Sequence, residues 1–360
     1  MLSLIGFITF IIDHSNRPDA GLYHLPYINI LNNEKIILGS VNLQFRYGHI
    51  SSIQYISSLF NNLILRDNGV LIPLTILYSS VILFFFNEYK KNSNNTFKLY
   101  SLLSLLFILT SMNRYSGFGN DDPAHMFYLI SIYYFIKFCF EKLKKQNIFN
   151  LIVVYSSFTF LIKQFYILIF IFPFVLFLIN IKKLKLFSKS NFFVILFLSL
   201  WLLKNILVSS CLLYPMTITC FNTLKWSPNN TFSSSERVSL SSEAWAKAWP
   251  DRINKSKNYA EHLSDFEWIE GWYQNHLKVV LKKILPIILC IFILFIWINV
   301  KNNGETKQKR HKFLYLILLF NLIFSFFWFF KFPTYRYGAA YIGTFLIIFG
   351  IIILDNKQFF

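Results

Sequence analysis

This sequence is poor in charge. Only 14% of its 360 residues are Asp, Glu, Lys or Arg, against 55% hydrophobic and 20% aromatic, and the mean hydropathy is +0.48. A soluble domain cannot hide that much apolar surface, whereas runs of about 17–25 apolar residues read as membrane spans. Acid is scarcer still: 17 acidic residues face 35 basic ones, a net charge of +18. A surplus of that size can serve nucleic acid, but here the lysines sit in short loops between apolar runs, the pattern of loops retained in the cytoplasm. Nucleic acid is therefore not an expected partner. The first residues lack the basic n-region and the small-residue cleavage site of a signal peptide. No internal repeat is apparent. Cysteine is limited to four residues. Cys139 and Cys290 fall inside apolar runs and read as packing residues. Cys211 and Cys220 bracket "LLYPMTIT", where a disulfide is plausible if the segment lies outside the cytoplasm.

What is present is a series of apolar runs: 1–12, 69–87, 99–113, 125–140, 149–162, 165–181, 191–209, 279–299, 313–331 and 339–354. The expectation is an all-α, polytopic transmembrane bundle of about ten spans. The first run is too short to cross a bilayer and reads as the stump of a longer helix whose start lies upstream. The runs on either side of Lys163 and Gln164 read as two short helices or one broken segment. Four basic loops, "NEYKKNSNNTFK", "EKLKKQN", "KKLKLFSKS" and "KNNGETKQKRHK", fall on one side with this span count. The positive-inside rule makes that side cytoplasmic. Segments 13–68, 114–124, the turn at Lys163, 210–278 and "KFPTYRYG" at 331–338 are then left on the outer side. Three regions follow: a core of membrane helices with outer loops at 1–209, an extracytoplasmic helical module at 210–278, and C-terminal membrane helices at 279–360.

The polar chemistry gathers on that outer side. In 13–68, Asp13, Asp19, His24, Arg46 and His49 crowd into amphipathic sequence pressed against lipid. A structured plug explains most of that sequence, but polar groups at membrane depth are costly unless they face a cavity or a partner. In "GNDDPAHM", Asp121 and Asp122 precede a span. One carboxylate suffices to cap a helix or answer its dipole. The second invites another use: paired carboxylates can hold a divalent metal or act as base and electrostatic partner. Lys163 and Arg336 each read as snorkelling anchors at span ends, or together as a phosphate clamp, Arg being able to bind bidentately. Segment 210–278 interleaves Trp226, Trp245, Trp249, Trp268 and Trp272 with acidic residues. Tryptophan anchors at the headgroups account for that, and an aromatic, acidic surface for a sugar-like acceptor is the other reading. The sequons at Asn229 and Asn254 read as chance in an Asn-rich chain.

"PDAGLYHLPYINIL", "GSVNLQFRYGHISS", "FLIKQF", "YPMTITCFNTLKW" and "PTYRYG" together resemble a group of uncharacterised bacterial membrane proteins related to the GT-C glycosyltransferases, which use polyprenyl-phosphate sugars. The pattern shared with that group falls here on Asp19, Tyr23, His24, Pro26, Gly39, Asn42, Leu43, Arg46 and Gly48. The resemblance spans nearly the whole chain. It implies a transferase in a bacterial inner membrane, with its active face outside, moving a hexose or pentose from a polyprenyl-phosphate-linked donor to a glycan or lipid acceptor for envelope polysaccharide. Asp19, Asp121 and Asp122 stand where GT-C enzymes place their acidic residues. Tyr23, His24, Arg46, Lys163 and Arg336 would bind substrate. No cofactor is required by the pattern, and a divalent metal on Asp121 and Asp122 is optional. The first loop departs from the GT-C pattern in lacking a paired acidic motif. Two other readings compete. An O-antigen-type polymerase or ligase would depend instead on Arg237, Arg252, His262 or His276. A transporter would need ionisable residues near the midplane, where Lys204 is the nearest case.

Overall fold

The computed structural model describes residues 19–49, 51–61, 64, 69–110, 119–141, 145–228, 233–249, 258–264, 266–301 and 312–354. Among the described residues the fold is all-α. The only β pairing is a single bridge between Cys211 and Cys220. A π-helical turn, Ala20–His24, runs directly into α1 (Leu25–Asn33), with Pro26 near the start of the helix where its missing N–H costs nothing. α2 (Ser52–Ser58) opens with a full capping box: the Ser51 hydroxyl accepts from the chain ahead, and Gln54 Oε1 accepts from the Ser51 N–H. Long rods follow: α3 (Ile72–Lys91), α4 (Asn95–Thr110), α5 (Asp121–Phe140) and α6 (Lys145–Ile162). A 3₁₀ stretch, Gln164–Phe170, leads into α7 (Ile171–Ile179), and α8 (Lys189–Ser209) closes this half. The polar segment supplies α9 (Ser235–Ala246), α10 (Tyr259–Ser264) and α11 (Trp268–Trp272). α11 continues through a π turn, Tyr273–Leu277, into α12 (Lys278–Lys301). α13 (Lys312–Lys331) and α14 (Tyr335–Leu354) complete the chain.

The expected number of spans is not supported. Nine of the ten apolar runs coincide with helices and the first lies outside the described residues, but among the described residues five helical stretches are long and apolar enough to cross a membrane: Ile72–Lys91, Lys189–Ser209, Trp268–Trp297, Lys312–Lys331 and Tyr335–Leu354. The difference has physical causes. Among the described residues α4 has 16, a rise of about 24 Å against a hydrocarbon thickness of about 30 Å. The 164–179 stretch is short and irregular, with Tyr166 outside helical geometry. α5 and α6 are long enough but too polar: α5 carries Asp121, Asp122, His125, Ser131 and several tyrosines, and α6 opens on Lys145, Gln146 and Asn147.

α5 is the central rod. It is buried on every side, which is why it has no amphipathic stripe. It packs on α6, where Ser131 and Ser156 share a hydrogen bond at 2.8 Å, and Tyr128 donates to Asn321 of α13 at 2.7 Å. These bonds satisfy polar groups that would otherwise be costly inside an apolar bundle. α14 closes against the same core: Tyr341 packs on Tyr128 and Tyr166, and Gly338 meets the Trp328 ring, leaving no room for a Cβ. The core therefore draws on helices from both sides of the polar segment. A second, smaller aromatic cluster (Tyr27, Tyr47, Tyr214 and Trp201, with Tyr55 against it) ties α1 and α2 to α8.

Short connections make successive rods run back and forth. The loops after α3, α5, α7 and α12 carry the basic runs, so the starts of α5 and α14, the break at Lys163 and the end of α8 share the opposite end of the bundle. Asp19, α1, α2 and the polar segment join them there.

Candidate functional site

Each charged side chain at that end is placed by a local feature of the chain. Lys163 is where α6 stops. Its backbone is extended (φ −142°, ψ 102°), which ends the helix and turns the side chain toward α5. There Nζ meets Asp121 Oδ1 at 2.7 Å. Asp121 lies in the first turn of α5. Neither it nor Asn120 makes a side-chain cap bond, so its carboxylate is given to Lys163 rather than to the helix end. Arg336 sits in the first turn of α14, after a turn held by backbone carbonyls. Trp272 donates to Pro333 O at 2.5 Å and Trp328 to Thr334 O at 2.8 Å, while His125 Nε2 lies 2.9 Å and Tyr166 Oη 3.4 Å from Arg336 O. Four elements thus fix the position of one arginine. Its guanidinium lies 3.7 Å from Asp19 Oδ2, 5.0 Å from the Trp245 ring and 5.0 Å from the Tyr337 ring. Lys163 Nζ stands 4.6 Å from the same Tyr337 ring, so Tyr337 carries both cations.

The two ion pairs differ. Lys163–Asp121 is short, and its side chains are 20% and 14% exposed. Arg336–Asp19 is long, and the Asp19 side chain is 41% exposed. Burial works against the charge on Asp121, but the cations of Lys163 and Arg336 outweigh it and hold the carboxyl well below the usual carboxylate range. A carboxylate held that low is a weak base. Asp19 is open to solvent and loosely paired.

Tyr23 and His24 line the same space. Burial, reinforced by Asp19, pushes the Tyr23 phenol up. His24 is pushed down to about 4, chiefly by burial. Its tautomer follows from the capping box. Gln54 Oε1 accepts from Ser51 N–H, so its Nε2 must donate to His24 Nδ1, 2.8 Å away. The ring proton is then on His24 Nε2, and a neutral histidine offers a donor. Arg46 stands at the edge, its guanidinium 5.3 Å from the Tyr23 ring and 4.7 Å from Phe45.

Asp19, Tyr23, His24, Asp121, Lys163 and Arg336 are thus brought within electrostatic reach of one another. Asp122 is not part of this group. It is buried, with Oδ1 3.5 Å from His125 Nδ1, and His125 Nε2 lies 2.9 Å from the Arg336 carbonyl. The two carboxylates offered as a metal pair therefore have separate partners, and among the described residues no group of three or more His, Cys, Asp or Glu could hold a metal ion. The Cys211–Cys220 disulfide is present. Of the competing set, Arg252 lies outside the described residues, as do Asp13 and the two sequons. His262 Nε2 is 3.0 Å from Lys247 O, and His276 lies within electrostatic reach of Arg336. Trp268 and Trp272 are buried against Phe329, while Trp245 is half exposed at the rim.

Residue-by-residue reading missed Tyr337, Gln54 and His125. Tyr337 and His125 stand inside the quoted stretches "PTYRYG" and "GNDDPAHM", and their spacing to Arg336 and Asp122 was the available signal. Gln54 had the weaker signal of a capping box after a serine.

Residues 1–343 match the model of a family described as a domain of unknown function (DUF8201), and the chain belongs to that family. No curated protein and no solved structure matches it.

Proposed function

We propose that this DUF8201 member is a membrane glycosyltransferase of the GT-C kind. It would move a sugar from a polyprenyl-phosphate donor to a glycan or lipid hydroxyl on the outer face of a bacterial inner membrane. The observation that carries this reading is the loose Arg336–Asp19 pair beside the tight Lys163–Asp121 pair, at the end of the bundle opposite the four basic loops. The disulfide at the end of α8 supports an oxidising compartment for that end.

In this reading the donor phosphate takes Arg336 from Asp19 and freeing the carboxylate activates it. Asp19 removes the proton from the acceptor hydroxyl. The acceptor oxygen bonds to the anomeric carbon, the bond from that carbon to the phosphate oxygen breaks, and the leaving phosphate keeps the electron pair. Arg336 and Lys163 stabilise the charge that develops there. Asp121 fixes Lys163, His24 Nε2 and the Tyr23 hydroxyl supply donors, and Asp122 acts through His125 on Arg336. No metal enters these steps.

The test compares surface glycan by mass spectrometry in a deletion strain carrying wild-type protein or Asp19→Asn. The expected result is glycan lost at unchanged protein level. Full glycan from Asp19→Asn removes the base from Asp19. Glycan unchanged by the deletion itself refutes the transferase. The proximity of His276 to Arg336 favours a ligase-type reading second. In that case His276→Ala abolishes glycan and Asp19→Asn does not.

A further inference from the structure

Among the described residues the transferase reading leaves two buried lysines unused, Lys247, which is paired with Glu243 at 2.7 Å, and Lys204. Lys204 lies in the last two turns of α8 and is 9% exposed. Its Nζ stands 3.6 Å from the Trp201 ring and 5.6 Å from the Tyr55 ring. Both cations of the first site have a carboxylate. Lys204 has none among the described residues, and its ammonium stands against the rings of Trp201 and Tyr55. One turn earlier, the buried indole nitrogen of Trp201 has no hydrogen-bond partner among the described residues. Indole N–H and ammonium only donate, so the buried indole lacks an acceptor and the lysine one turn later lacks a carboxylate among the described residues. Buried donors of this kind are ordinarily satisfied, and a cation at membrane depth ordinarily faces an anion.

The cluster is built rather than incidental. Tyr55 packs edge-on to Trp201 at 5.5 Å, and its hydroxyl is tied to Tyr27 at 3.2 Å. Neighbouring residues of α2 link this cluster to the first site: Gln54 holds His24 and Tyr55 walls Lys204. Both therefore lie toward the same end of the bundle. α8 is one of the five candidate spans, and Lys204 is five residues from its end at Ser209, close to the depth at which headgroup phosphates lie.

We propose that Lys204 and Trp201 form a second oxyanion site that takes a phosphate group, with the ammonium as counter-ion and the indole N–H as a second donor. The chemistry suits a lipid phosphate or free phosphate alike, and it does not depend on the transferase reading.

The test uses full-length protein purified in detergent and native mass spectrometry with dioleoyl phosphatidic acid, in parallel with inorganic phosphate. Arg336→Gln serves as background, so that binding at the first site does not mask the second. In that background one phosphatidic acid should remain bound. Adding Lys204→Met should weaken it about tenfold or more, the loss of a charge-assisted bond, and Trp201→Phe about threefold, the loss of a neutral donor. Lys204→Arg should retain binding, which separates charge from packing. Stabilisation by inorganic phosphate alone, lost with Lys204→Met, assigns the site to free phosphate. Equal phosphatidic acid binding with and without Lys204, with no effect of inorganic phosphate, overturns the site even if Asp19→Asn abolishes glycan.

Discussion

Replacing Asp121 by Asn should destabilise the protein more than replacing Lys163 by Met, and the two losses should not add. Asn keeps the shape and removes the charge, which leaves the Lys163 ammonium, beside the Tyr337 ring, without its counter-ion. The reverse change leaves Asp121 with Arg336 still acting on it. At contact distance and an effective dielectric of 20, attraction is about 4 kcal/mol, much of it offset by desolvation. With side chains 14% and 20% exposed, the pair falls between surface pairs, worth about 0–1 kcal/mol, and buried ones, where removing one partner costs about 3–5 kcal/mol. That gives about 2–3 kcal/mol for Asp121→Asn, about 1–2 for Lys163→Met and a coupling of about 1.5. The assay is reversible unfolding of the purified protein in mixed micelles by titration with dodecyl sulfate, run on both single variants and the double variant. A coupling below about 0.5 kcal/mol, or a larger loss from Lys163→Met, refutes the pairing as described.

Three further outcomes are expected. His24 is pushed down to about 4 from an ordinary value of 6.5, so the unfolded chain takes up the proton first. Stability from this group is present above pH 6.5 and is lost as the pH falls toward 4, by about 3 kcal/mol in all, and unfolding of His24→Asn followed between pH 4 and 7 should lack that slope. Gly338→Ala should lower the thermal midpoint, because the new Cβ would overlap the Trp328 ring in the α13–α14 contact. An unchanged midpoint in a dye-based melt would show that the contact yields freely. Replacing Cys211 and Cys220 together by Ala should cost roughly 2–3 kcal/mol through the lost loop constraint, measured by the same dodecyl sulfate titration, and equal midpoints for the variant and the wild type would refute it.

Asp19, Lys163 and Arg336 were legible in the sequence because each interrupts or adjoins an apolar run, where a charge needs a reason. The gathering of the polar segments at one end was legible too, since the basic loops sort the remaining segments to one side. Asp122 was not legible. In sequence it is the twin of Asp121, but one residue along a helix is a rotation of about 100°, enough to send one carboxylate to Lys163 and the other into the bundle. The number of spans failed for a related reason. Hydropathy reports what lipid would tolerate, and α5 is wrapped by other helices, so its polar residues find partners there instead. Gln54 was hidden because its work is done by both ends of one amide, and no spacing rule connects it to His24, 30 residues away.

The difference between the two ion pairs bears on how the site would act. A site built for an anion must keep its cations charged and in place while empty, yet surrender them when the anion arrives. Lys163 is held at 2.7 Å by a carboxylate that stays ionised, so it is fixed but strongly occupied. Arg336 is fixed instead through its backbone carbonyl, by His125 and Tyr166, while its guanidinium donates to the Tyr337 hydroxyl at 3.3 Å and meets its carboxylate, Asp19, only loosely at 3.7 Å. Backbone anchoring of one cation and side-chain anchoring of the other divide position from charge. Asp122→Asn should therefore disturb Arg336 without touching its charge: its effect on glycan should resemble a mild Arg336→Lys, and an effect as complete as that of Asp19→Asn would place Asp122 among the reacting groups instead.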